Sequence, residues 1–206
     1  MTDPTIFIVD DDASVRDSLS LLLGLKGYAT RSFASAEDFL STCQPEWHGC
    51  LLLDIRMPGM KGLELQQHLI SRQIFLPIIF ITGHGDVAAT RAALKAGAAD
   101  FLEKPLDDRL LLTAITDALK SSAHQRDEAA VAQEIMDRIS RLTAREREVM
   151  EKVTLGEPNR EIARQLGISP RTVEVYKARM MEKMRTQSLP ELVRLVLGIK
   201  TGDPSD

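Results

Sequence analysis

Residues 51–62 read LLLDIRMPGMKG: three leucines run straight into Asp54, and a turn rich in Pro and Gly follows. A strand this apolar has no wet face, the pattern of a parallel strand covered by helices on both sides of its sheet. Asp54 stands where that strand ends. In an open parallel sheet the carboxyl ends of the strands face one crevice, which is the usual ligand site.

The rest of the first half repeats this pattern. TIFIV, ATRSF, CLLLD, PIIFIT and ADFLE are predicted strands, each short enough for a buried parallel strand rather than a helix. SVRDSLSLLLGL, SAEDFLST, GLELQQHLISR, DVAATRAALKAG and DDRLLLTAITDALKS carry apolar residues at helical spacing, with Gly or Pro at most ends. Five βα units with right-handed crossovers predict an α/β fold over residues 1–120. It is a five-stranded doubly wound parallel sheet, for which the order 2-1-3-4-5 is one of two common solutions.

From residue 121, SSAHQRDEAAVAQEIMDRIS holds neither Gly nor Pro and is too polar to own a core. Residues 121–139 are therefore read as a helical linker. Residues 140–206 show no strand pattern. TAREREVMEKVTLG, NREIARQLG, SPRTVEVYKARMMEKMR and SLPELVRLVLG predict a small all-α domain of four helices, most opened by Thr, Asn or Ser caps. The tail TGDPSD is read as disordered.

Composition agrees with two soluble domains: 206 residues, 44% hydrophobic and 27% charged. No apolar run approaches the roughly eighteen residues of a membrane span, and the N-terminus turns acidic too early for a leader. The expected location is the cytoplasm, with no membrane partner. Cys43 and Cys50 flank His48 but lack a second ligand pair, so buried or half-buried thiols are expected rather than zinc. Residues 1–120 hold 11 basic and 16 acidic side chains, a net of −5, whereas residues 159–185 hold 7 and 3, a net of +4.

Polar residues gather where the apolar strands stop: Asp10, Asp11 and Asp12 after the first, Asp54 at the third, Thr82 and His84 at the fourth, Lys104 and Pro105 after the fifth. Crowded carboxylates repel, so the set makes physical sense around a divalent cation, and all-oxygen ligands favour Mg²⁺ or Mn²⁺. A carboxylate there can also be a nucleophile that forms an aspartyl phosphate, while metal and lysine neutralise charge on the transferred oxygens.

VDDD, DIRMPGMKG, TGHGD and EKP occur in the order found in the receiver domain of bacterial two-component response regulators, which residues 3–120 resemble. The resemblance implies that Asp54 is the phosphoacceptor, Asp11 a metal ligand, Asp10 a supporting acid and Arg56 the donor of a backbone carbonyl to the metal. It implies that Lys104 grips the phosphoryl group, that Thr82 swings toward it, that Phe101 is the aromatic switch partner, and that the Lys104–Pro105 bond is cis. Helix 86–95 and strand 99–102 would form the face that pairs two receivers. Haloacid-dehalogenase-type phosphatases share the aspartyl-phosphate chemistry but need a second Asp two residues on. That position is Arg56, which cannot protonate a leaving group, so a turnover enzyme is not expected.

NREIARQLGISPRTVEVYKA, residues 159–178, suits a helix-turn-helix: Ala163 is small at a helix crossing, Gly167 permits the turn, and Ile162, Leu166, Ile168 and Val173 supply a shared core. On a helical wheel Val173, Tyr176, Met180 and Met184 face one way. Arg171, Glu174, Val175, Ala178, Arg179 and Arg185 face the other. Residues 140–200 resemble the LuxR and NarL class of output domain, most of all the FixJ branch, with Tyr176 where that branch usually has His. The resemblance implies DNA binding through helix 170–185. Glu174, Val175 and Ala178 would approach base edges, Arg160, Arg171, Lys177 and Arg179 would hold phosphates, and Thr172 is included in the contact surface. The implied partners are a sensor histidine kinase, promoter DNA, RNA polymerase and a second copy of the chain after phosphorylation. The competing reading is a phospho-switched protein-interaction module that never touches DNA.

Overall fold

The branched and aromatic runs of the first, third and fourth strands have no polar face to offer water, so they are stable only where helices cover them on both sides, whereas the second and fifth strands carry polar residues and lie partly exposed at the sheet edges. The computed structural model describes residues 4–83, 91 and 93–200, and in it the runs pair as one sheet. Strands β1 (Thr5–Val9), β2 (Ala29–Phe33), β3 (Gly49–Asp54), β4 (Ile78–Thr82) and β5 (Asp100–Glu103) lie in the order β2-β1-β3-β4-β5. Every pairing is parallel. The expected doubly wound sheet and strand order are thus observed.

β3 is central, with Leu53 opposite Val9 on one side and Asp54 opposite Ile81 on the other. Leu51, Leu52 and Leu53 are wholly buried. Each is worth about 2 kcal/mol over an exposed leucine. Alternate residues feed two cores. Phe7, Val9, Leu51, Leu53 and Phe80 share one with α2 (Ala36–Thr42) and α3 (Gly62–Ser71). Ile6, Ile8, Leu52, Ile79 and Ile81 share the other with α1 (Ala13–Leu25) and with Leu111 and Ile115 of α4 (Asp108–Ser140).

Local chemistry sets the helix starts. Asp12 caps α1 by accepting from Ser14 N, and Ser35 caps α2 by accepting from Asp38 N. Gly62 opens α3 against the end of β3: a Cβ there would lie 2.4 Å from the Asp54 carbonyl oxygen. The amphipathic stretch at 86–97 falls mostly outside the described residues, of which Arg91 and residues 93–95 are helical. The tail TGDPSD and His84 also lie outside them.

α4 runs 33 residues without a break, so the last helix of the α/β region and the segment read as a linker are one element. The chain divides into two compact units, Met1–Gln125 and Arg126–Asp206.

In the second unit α5 (Ala144–Thr154), α6 (Asn159–Leu166), α7 (Pro170–Met184) and α8 (Leu189–Lys200) surround a core of Val149, Ile162, Val173, Met180, Met184 and Leu192. The four expected helices are present. Thr143 caps α5 and Ser169 caps α7, but Asn159 is the first helical residue of α6 and Pro158 occupies its cap position. Proline's fixed φ suits the entry to a helix, but its ring carries no acceptor, so no side-chain cap forms there. Gly167 closes α6 with φ of 67°, in the left-handed region. Glu146 completes a capping box with Thr143 and also accepts from Lys183 Nζ on α7 at 2.6 Å. Lys183's hydrogen bond holds the buried Glu146 carboxyl below its ordinary value, against the opposing effect of burial.

Gly62→Ala forces the new methyl against backbone that cannot swing away, and chemical denaturation should show the Met1–Gln125 unit destabilised by about 1–3 kcal/mol. For Glu146 the folded pKa is depressed, so its stabilisation is full above the unfolded value and is lost as pH falls through the folded one. Glu146→Gln should cost about 1 kcal/mol at neutral pH and flatten the acid side of the stability profile, as read by circular dichroism across a pH series.

Candidate phosphoacceptor crevice and recognition helix

Three strand ends bring Asp10, Asp54 and Lys104 together from positions up to 94 residues apart. Asp10 is 1% exposed and Asp54 5%. Lys104 Nζ donates to Asp10 Oδ2 at 2.8 Å and to Asp54 Oδ1 at 3.1 Å. The second oxygen of Asp54 accepts from the Arg56 backbone N–H at 2.9 Å. Asp10 Oδ1 accepts from the Asp12 backbone N–H at 2.9 Å.

Burial pushes the Asp54 carboxyl above its ordinary value, aided by the nearby Asp10 charge and opposed by Lys104. For Lys104 burial alone would lower the pKa, but hydrogen bonds and charges from the two carboxylates outweigh it and hold the ammonium above its usual value. The charges are therefore unequal: two buried carboxylates share one ammonium.

The other crevice candidates sit further out. Asp11 is exposed, and among the described residues no three carboxylates, histidines or cysteines converge closely enough to hold an ion. Asp12 is committed to capping α1 through the backbone N–H and hydroxyl of Ser14. Thr82 is buried and donates its hydroxyl to the Gly83 carbonyl at 3.0 Å, not to a carboxylate. Phe101, on the neighbouring strand end, is 39% exposed. The Lys104–Pro105 bond is cis. Helix 86–95 of the proposed pairing face falls largely outside the described residues. Cys43 and Cys50 are free, and burial pushes the Cys50 thiol up to about 12, as suits an inert core residue.

On α7 the helical wheel holds. Val173, Met180 and Met184 are buried and Tyr176 half-buried, while Arg171, Glu174, Val175, Ala178, Arg179 and Arg185 are exposed. Lys177 is half-buried, and Arg160 on α6 is exposed. Thr172 is partly engaged already: its hydroxyl pairs with Ser169 Oγ at 2.8 Å, and its N–H donates to the same oxygen. The face left to solvent is thus basic at its edges and apolar or acidic in its middle.

Sequence reasoning missed two ties that hold this helix: Lys183 to Glu146, and the α4 residue Arg138 to the Met184 carbonyl at 3.2 Å. The T-x-x-E spacing of Thr143 and Glu146 announced the capping box. Nothing in the spacing announced the ammonium that reaches it from a later helix.

Comparison with known proteins agrees with both halves. The profile described as "Response regulator receiver domain" matches residues 6–116, and that described as "Bacterial regulatory proteins, luxR family" matches residues 140–196. The transcriptional regulatory protein FixJ of Azorhizobium caulinodans is 47% identical over 192 residues, covering 93% of this chain and 91% of that protein. The transcriptional regulatory protein TdiR of Thauera aromatica is 42% identical over 94% of this chain and 85% of its own. Among solved structures the response regulator StyR is 43% identical with a TM-score of 0.85, covering 95% of this chain and 99% of that one. Full-length FixJ from B. japonicum is 44% identical with a TM-score of 0.60, covering 98% and 99%. With a receiver profile over its first half, a LuxR-family profile over its second and relatives matching across nearly its whole length, the chain belongs to the two-component response regulators of the FixJ-like, LuxR-type class.

Proposed function

We propose that the chain is a transcription regulator switched by phosphorylation of Asp54, with a receiver at residues 1–120, a helical linker at 121–139 and a DNA-binding domain at 140–206. The observation that carries this reading is the Lys104 ammonium shared between the buried Asp10 and Asp54 at the carboxyl ends of parallel strands. An Asp54 carboxylate oxygen attacks the phosphorus of a phosphohistidine on a sensor kinase. The new O–P bond forms as the N–P bond breaks, and the histidine leaves with the electron pair. Lys104 then turns its hydrogen bonds to the phosphoryl oxygens. The chain acts as a regulator: two residues after Asp54, where phosphatases of the aspartyl-phosphate type place a second acid, stands Arg56, which cannot protonate a leaving group.

Mg²⁺ fits the donor set. Two buried carboxylates share one cation, which leaves an uncompensated negative charge, and every candidate ligand is oxygen. Asp54, the Arg56 backbone carbonyl and Asp11, once it turns inward, would hold the ion, with Asp10 in support; Mn²⁺ suits the same set. When bound, the ion neutralises charge on the transferred oxygens.

Phosphorylation draws the Thr82 hydroxyl from the Gly83 carbonyl toward the phosphoryl group and gives Phe101 room to turn in. The altered face pairs two chains, and the pair sets two α7 helices on promoter half-sites. Glu174, Val175 and Ala178 meet base edges, while Arg160, Arg171, Lys177 and Arg179, with Thr172 beside them, meet the backbone. RNA polymerase is the downstream partner and the cytoplasm the place of action; among the described residues no helix is long and apolar enough to cross a membrane.

With Mg²⁺ and a small-molecule phosphodonor the chain should gain one alkali-labile phosphoryl group and a larger dimer fraction in sedimentation. Asp54→Asn should lose both. Incorporation that survives in that variant rejects Asp54 as the acceptor. In band shifts, Arg179→Ala should weaken binding to every duplex and reduce the slope of log affinity against log salt by about one. A protein-interaction module without DNA contact would show no salt-dependent shift at all.

A further inference from the structure

The end of α7 is held by side chains from the segment that sequence alone assigns to a linker. α7 stops at Met184, and Arg185 follows with φ of 56° in the left-handed region. The last carbonyls of a helix lack partners within it and carry the negative end of its dipole. Arg138, near the end of α4, donates Nη1 to the Met184 carbonyl at 3.2 Å and is 19% exposed. Its Nη2 donates to Glu134 Oε1, one turn earlier, at 2.7 Å. The same carboxylate oxygen lies 3.8 Å from Arg185 Nη1. Ile135 and Ile139, between and beside these residues, pack into the core of the Arg126–Asp206 unit.

We infer that Arg138, oriented by Glu134, is a positioning residue for DNA recognition: it sets the tilt of α7 on its core and thereby the reach of its base-reading face. The inference rests on the reading of α7 as the recognition helix. At about 1.5 Å per residue Glu174 lies roughly 15 Å along the axis from Met184, so a tilt of about 10° at the tied end moves it by about 2.5 Å. A hydrogen bond to a base edge does not survive such a displacement. Lys183 and Glu146 hold the same end of α7 to α5, and Val173, Met180 and Met184 stay packed in the core, so losing Arg138 leaves the helix anchored but lets its tilt relax by a few degrees. Selectivity falls while the fold and the phosphate-binding charges remain.

The test uses the full chain, phosphorylated with a small-molecule donor and Mg²⁺, and two probes: a duplex that the wild-type chain isolates from a randomised library, and a scrambled duplex of the same composition. Arg138→Ala should lose about tenfold in affinity for the isolated duplex, the worth of one charge-assisted hydrogen bond. Affinity for the scrambled duplex should stay within about twofold and the salt slope unchanged, since no phosphate contact is removed. Equal losses on both duplexes with a slope smaller by about one would make Arg138 a phosphate contact and overturn the inference. Unaltered selectivity overturns it too, as does a loss that equals the drop in folded fraction read from chemical denaturation. Should Arg138→Ala fail to fold, Glu134→Ala removes only an exposed side chain and should lose about threefold in selectivity by leaving Arg138 unoriented; full selectivity there overturns the inference. A wild-type chain that isolates no duplex rejects the DNA-binding reading itself, and the role of Arg138 with it.

Discussion

The Lys104 ammonium, 2.8 Å from Asp10 and 3.1 Å from Asp54, joins the ends of three strands in one ion-paired knot. Much of the first unit serves to put those three groups there. β3 delivers Asp54 because its leucines are buried on both faces and leave only one position for the carboxylate, the last. β1 delivers Asp10 in the adjoining strand, whose Val9 pairs with Leu53. Lys104 follows β5, and its backbone N–H is tied to the Thr82 carbonyl at 2.8 Å. Three charges held this close in a partly dry crevice respond strongly to any added charge, because the interior screens them less than water does.

The second unit uses buried charge differently. Glu146 satisfies the first turn of α5 and takes the Lys183 ammonium in the same carboxylate, so one side chain sets both a helix start and a helix crossing. Removing Lys183 would strand the buried Glu146 carboxylate, which costs more than the net worth of the pair. Arg138 acts at the same helix end, on the Met184 carbonyl. A recognition helix fixed at one end by side chains and along one side by Val173, Met180 and Met184 keeps its exposed face in a defined place.

Much of the fold was legible in the sequence because its signals are local and repeated. Apolar runs of strand length alternate with helical spacing, and Asp12, Ser35, Thr143 and Ser169 mark helix starts by their own side-chain chemistry. Asn159 misled because the proline before it already had the backbone geometry of a cap. The crevice was legible as a set of strand ends, which parallel topology gathers in one place. Residues 121–139 are polar in composition, yet Ile135 and Ile139, four residues apart, form an apolar stripe that joins the core of the second unit.

Sequence by itself determined the layers, the strand order among the few allowed, the acid at the end of β3, and which side of α7 faces water, since all of these follow from periodicity and chain direction. Tertiary structure alone decided which charges meet. Lys104 could have paired with any of Asp10, Asp11, Asp12 or Asp54, and it bridges the two that burial deprives of water. Gln66, polar on a helix, is buried because its amide donates to the Ala93 and Ala96 carbonyls. Lys183 finds Glu146, 37 residues away, and Arg138 finds Met184, 46 residues away. Such pairings depend on distances of a few tenths of an ångström between elements far apart in the chain, and no local pattern encodes them.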